Sequence, residues 1–127
     1  MLNKYKIFLF SETPDKLVKF YNETLGFRIK NTLKLPKDYG YNVLANDEYE
    51  IWIAEHSEVK GYNKDPYRHI ITFYVDKLDY WWDKVKNAKE IKIEQEPVNM
   101  SEFNPKETRR VFTVFDPEGN CLQFIGN

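Results

Sequence analysis

Apolar side chains are dense over residues 4–10 (KYKIFLF), where β-branched and aromatic types dominate, and this predicts a first strand. Helix-start chemistry follows at once: Thr13 is a candidate N-cap and Pro14 suits the first helical position. Leu17, Phe20, Tyr21 and Leu25 then recur at helical spacing, and Gly26 stands where a left-handed residue would end the helix. Three shorter apolar runs come next, at 27–33, 41–45 and 49–54, the last two joined by a turn at Asn46-Asp47. The first half therefore reads βαβββ. The polar stretch 55–66, with Gly61 inside it and Pro66 at its end, has the composition of a linker.

After the linker the same order returns, with a strand at 68–75, a helix at 77–88, and strands at 91–97, 108–115 and 120–125. The polar, aperiodic segment 99–107 between two of them is expected to be a mobile flap over a cleft. Leu78, Trp81, Trp82 and Val85 form the apolar stripe of the second helix; because the tryptophans are adjacent, one is expected in the core and the other at an edge or interface. The order of elements repeats with a period near sixty residues although residue identity does not. The expected architecture is α+β: one domain, 1–127, of two paired βαβββ modules (1–58 and 67–127), forming a curved mixed sheet around a cleft with the helices outside.

Composition narrows the classes. A chain of 127 residues suits one domain, and 42% hydrophobic with 17% aromatic residues is enough for a sizeable interior. The net charge of −1 neither draws in nucleic acid nor repels it, and no nucleic-acid partner is expected. The lone Cys121 excludes an intramolecular disulfide, a CxxC pair and a Cys-His zinc cluster, which agrees with a reducing, cytoplasmic location. Neither a signal peptide nor a run of about 20 apolar residues is present, so no membrane partner is expected either.

Two local motifs are more specific. Residues 20–27 (FYNETLGF) close the first helix with glycine, and residues 116–120 (DPEGN) make a tight turn before the last strand. Both resemble the corresponding motifs of the vicinal oxygen chelate superfamily, which includes glyoxalases, bleomycin-resistance proteins and extradiol dioxygenases. The resemblance covers nearly the whole chain and implies the paired βαβββ fold, a homodimer, and, in the enzymes, a divalent metal held by inward residues of the first and last strands of each module. Counted from these motifs, the ligand positions fall on Lys6, His69 and Gln123, with the variable fourth among Ile51, Trp52 and Ile53. Where the enzymes usually carry His and Glu, the chain has Lys6 and Gln123, and a protonated amine has no lone pair to give. No cofactor is expected, though a weakly held divalent ion at His69 stays open.

The candidate ligand-binding set is Lys6, Phe8, Phe10, Trp52, His69, Phe73, Arg110 and Gln123. Phe8, Phe10 and Phe73 share strand parity with Lys6 and His69, while Arg110 is ambiguous because Arg109 stands beside it. Cys121 shares parity with Gln123 and reads as a buried, inert thiol. The expected function is a metal-independent small-molecule binding protein, resembling the bleomycin-resistance branch, with an anionic or carbonyl-bearing, partly aromatic ligand. The alternative is a glyoxalase- or dioxygenase-like lyase or isomerase acting on a carbonyl or thiol-adduct substrate, with His69 as general base and Lys6 as its electrostatic or Schiff-base partner.

Overall fold

A computed structural model describes all residues, Met1–Asn127, as two units that meet in the chain at Gly61 and Tyr62, inside the stretch read as a linker. The first unit runs β1 (Ile7–Ser11), α1 (Pro14–Lys19), β2 (Arg28–Leu35), β3 (Asp38–Leu44) and β4 (Glu50–Glu55). The second runs β5 (Ile70–Val75), α2 (Leu78–Val85), β6 (Lys92–Asn99), β7 (Arg110–Phe115) and β8 (Cys121–Gly126). Each unit has one four-stranded mixed sheet, in the orders β1-β4-β3-β2 and β5-β8-β7-β6. The strand that opens a unit lies parallel to the one that closes it, because the intervening helix crosses over before the antiparallel strands return. The two-module α+β fold expected from the repeated element order is thus observed.

In the first unit, α1 and the turn that follows it lay Leu17, Phe20 and Tyr21 on the sheet, each at 3% exposure or less, against the face that carries Val43, Ile51 and Ile53. Burying one such side chain is worth roughly 1.5–3 kcal/mol. Thr13 holds the N-cap position but its hydroxyl does not cap; the Oγ of Ser11 accepts the Thr13 N–H instead, at 2.8 Å. The last turn widens to a π-turn over Phe20–Thr24, and Gly26 at φ +80° releases the chain towards β2.

In the second unit, Trp81 stacks on Phe124 of β8 and Trp82 packs against Phe112 of β7. Both indoles therefore lean on the sheet, where one alone was expected; two neighbouring strands each offer a ring, and these rings are themselves stacked 4.7 Å apart. The α2 N-terminus is closed by Leu78 N–H donating to the Asn127 carbonyl at 3.1 Å. In the DPEGN turn, the buried Asp116 carboxylate accepts the backbone N–H groups of Glu118 and Asn120, both at 2.9 Å. Segment 99–107 is pinned at its base by Met100 N–H on the Arg109 carbonyl and by a short 3-10 turn at Met100–Glu102.

Candidate functional site

Each sheet has one face under its helix and an opposite face, open in the sense that no helix of its unit covers it. On the first sheet the pairings Phe8–Trp52–Asn42 and Phe10–Ala54–Gly40 run across β1, β4 and β3, and residues opposite one another point the same way. Lys6, two residues before Phe8, joins this face: its ammonium lies 5.7 Å from the Phe8 ring centre and 5.8 Å from that of Trp52. Phe10 packs edge-on against Phe8 and against His56. The structure therefore brings together Lys6, Phe8, Phe10 and Trp52 as one aromatic floor with a cation on it. Gly40 is needed beneath it, since a Cβ there would come within 2.6 Å of the Ala54 Cβ.

One residue escaped the sequence reading. Glu50, at the start of β4, shares this face and gathers three lysines: Lys30 at 2.6 Å, Lys4 at 3.1 Å and Lys6 at 3.4 Å. Lys30 gets there through a bulge in β2 between Ile29 and Asn31, which turns an extra side chain to the open face. Hydrogen bonds from Lys30 first, then from Lys4, hold the Glu50 carboxyl well below its ordinary value of 4.5, at about 2, against the opposing effect of burial. Lys6 also donates to Asn42 Oδ1 at 2.8 Å, and Asn42 is in turn bonded to Asn31 at 3.1 Å. A carboxylate at this spot has a sequence signal only as Glu in the strand run EIWIAE, and nothing local tells it from a solvent-facing residue.

The second sheet departs from expectation. Thr72 faces Gln123 across β5 and β8 and donates to its Oε1 at 3.2 Å, on the open face. Gln123 thus points where it was placed. Phe73 and Arg110 do not. Phe73 packs on Phe124, 5.1 Å away, and Phe124 stacks with Trp81, so Phe73 belongs to the helix side. Arg110 pairs with Asp79 of α2 at 3.0 Å and donates to the Asn127 carbonyl, again on the helix side; Arg109 instead lies over the ring of Tyr74 and grips Glu107 through two hydrogen bonds. His69 lies in a bend before β5 and is exposed, and the first strand residue sharing a face with Thr72 is Ile70. The reading was one residue out of register, which sends alternate side chains to the wrong face. Cys121 lies on the face that Thr72 and Gln123 share but is 1% exposed; burial first, then the Glu94 carboxylate, push its thiol pKa up, which disfavours the thiolate.

The chain matches the model of the Glyoxalase/Bleomycin resistance protein/Dioxygenase superfamily over residues 5–124. It belongs to that superfamily. Among solved structures, the chain is similar to a glyoxylase/bleomycin resistance protein/dioxygenase domain from Frankia sp. EAN1pec, with 13% identity, TM-score 0.79, and coverage of 100% of this chain and 93% of that one. It is also similar to a hypothetical protein, SA1046, from S. aureus, at 21% identity, TM-score 0.71 and coverage of 100% and 99%. A third is the fosfomycin resistance protein FosX from Listeria monocytogenes, at 14% identity, TM-score 0.70 and coverage of 100% and 94%. No curated protein matches the sequence.

Membership in this superfamily raises the question of a metal. The matched registers Phe8–Trp52 and Thr72–Gln123 make Lys6 equivalent to Ile70 and Trp52 to Gln123, so the first- and last-strand positions at which the resemblance implied ligands are Lys6 and Trp52 in the first unit and Ile70 and Gln123 in the second. Lys6 is an ion-paired ammonium, Ile70 and Trp52 have no lone pair to offer, and Gln123 has one neutral carbonyl already accepting from Thr72. The His, Cys, Asp and Glu side chains form no group of three or more that could hold a metal. These residues do not fit a divalent cation. No helix is long and apolar enough to cross a membrane.

Proposed function

We propose that this superfamily member is a metal-independent small-molecule binding protein, in the manner of the bleomycin-resistance branch, whose ligand is anionic or carbonyl-bearing and partly aromatic. The observation that carries the reading is Lys6, oriented by Asn42 and set over Phe8 and Trp52 on one open face. An aromatic floor supplies apolar contact area, and an ammonium already aligned supplies a charge-assisted hydrogen bond at little ordering cost. In the second unit, Gln123 uses Oε1 for its hydrogen bond to Thr72, which leaves its amide N–H groups for an acceptor. The lyase or isomerase alternative gains nothing from His69, which is exposed in a bend ahead of the paired residues of β5. Homodimer formation and a cytoplasmic location complete the proposal and rest on the resemblance and on the single reduced cysteine.

The test is titration of the purified protein with aromatic carboxylates, followed by tryptophan fluorescence and calorimetry, with product analysis alongside. Saturable binding weakened roughly tenfold in Lys6→Ala, the worth of one charge-assisted hydrogen bond, supports the reading. Turnover of any of these compounds, or stoichiometric Zn, Ni, Mn or Fe in protein prepared without chelator, overturns it. Light scattering that gives a monomer rejects the dimer.

A further inference from the structure

We infer that the open face of the first sheet is built for a ligand group that carries two negative charges, and that Glu50 holds the surplus positive charge of that face at two. The inference rests on the anionic-ligand reading above and adds to it the charge of the group that docks. Lys4, Lys6 and Lys30 all close on one carboxylate, so the cluster holds three positive charges against one negative. The Glu50 side chain is 8% exposed, whereas those of Lys4 and Lys30, whose ammoniums lie 3.1 and 2.6 Å from its carboxylate, are 55% and 49% exposed, so the cluster is reached from solvent through the lysines. Lys6 is held apart by Asn42, itself bonded to Asn31, and marks where the cationic edge meets the floor of Phe8 and Trp52.

Two positive charges remain uncompensated. A monoanion leaves one of them, and a dianion leaves none. Glu50 also sets the upper limit, because without it three ammoniums would crowd the edge with no partner to order them. The β2 bulge fits this role, since it turns Lys30 onto the face, and bulges commonly re-aim side chains at functional sites. In screened, water-accessible surroundings, one extra charge about 5 Å from a net charge of two is worth roughly a tenfold gain in affinity.

The experiment compares four probes that share a benzene ring: phenyl phosphate, phthalate, benzoate and benzamide. Calorimetry is run at about pH 8, where a phosphate monoester, with its second pKa of about 6, is dianionic. The expected order is phenyl phosphate and phthalate about tenfold tighter than benzoate, and benzoate tighter than benzamide. In Lys30→Ala, an exposed change that removes one charge, the dianion advantage should shrink to about threefold. In Glu50→Gln, which adds one positive charge, it should widen, provided circular dichroism shows the fold kept. Benzoate binding as tightly as both dianions, with benzamide weaker, overturns this inference and leaves the anionic reading standing. Equal binding of all four, or binding of none, overturns both.

Discussion

Thr72 donates a hydrogen bond to Gln123 Oε1 across the parallel pair β5–β8, 3.2 Å away, and this contact fixes which way alternate side chains of the second sheet point. With Thr72 on the open face, Phe73 must point to α2, where it packs on Phe124. Phe73→Ala should therefore cost roughly 2–4 kcal/mol through a cavity under the helix. His69→Ala, at an exposed bend, should stay within about 0.5 kcal/mol of the parent. Urea unfolding of the two variants measures both, and a larger loss for His69→Ala would mean that the two faces of β5 had been exchanged.

The features read correctly from the sequence are those whose cause is local. Gly26 ends the first helix at positive φ, and Asp116 ties its own turn, because the residues that make these structures stand within a few positions of one another. The stretch RHIITFYV carries no alternation of apolar and polar residues, so its register had nothing to anchor it, and His69 was taken for the residue that Ile70 is. Glu50 and Lys30 were invisible for a different reason. Their meeting depends on a bulge in β2 and on the pairing of β2 and β4 through β3, which no spacing along the chain encodes.

Gly119 and Gly61 both adopt positive φ, at +85° and +64°, but only Gly119 is crowded, by the ring of Tyr62; around Gly61 nothing lies within 4 Å of an added Cβ. The backbone cost of an L-residue in this region is roughly 1–2 kcal/mol and applies to both. Gly61→Ala should lose about that much. Gly119→Ala should lose at least about 1 kcal/mol more, because the Tyr62 ring must shift off the DPEGN turn. Thermal melts of the two variants give the comparison, and equal losses would show that the Tyr62 contact has no energetic weight.

Cys121 is held as a neutral thiol by burial and by the nearby Glu94 carboxylate, with 1% of its surface exposed. Both effects oppose thiolate formation, and access requires opening of β8. Reaction with a chromogenic disulfide reagent near pH 8 should be slower in the native protein than in denaturant by on the order of a hundredfold. Comparable rates in the two conditions would mark Cys121 as accessible and ionisable.

Glu50 gives the protein a defined acid response. Its folded-state pKa, about 2, lies below its ordinary value of 4.5, so the carboxylate's contribution to stability is fully present above about pH 5 and is lost as pH falls towards 2. Since Lys4 and Lys30 are about half exposed, solvent screening limits that contribution to about 1 kcal/mol. Glu107 responds in the same direction, because hydrogen bonds from Arg109 hold its pKa down to about 2, so the acid loss of the parent alone does not isolate Glu50. The difference between the parent and Glu50→Gln does, because Glu107 is common to both. Stability measured by urea unfolding should favour the parent at about pH 6, and the gap should close as pH falls towards 2.5. A gap that stays constant over this range would mean that the lysines do not hold the Glu50 carboxylate in solution, and the charge count of the open face would fall with it.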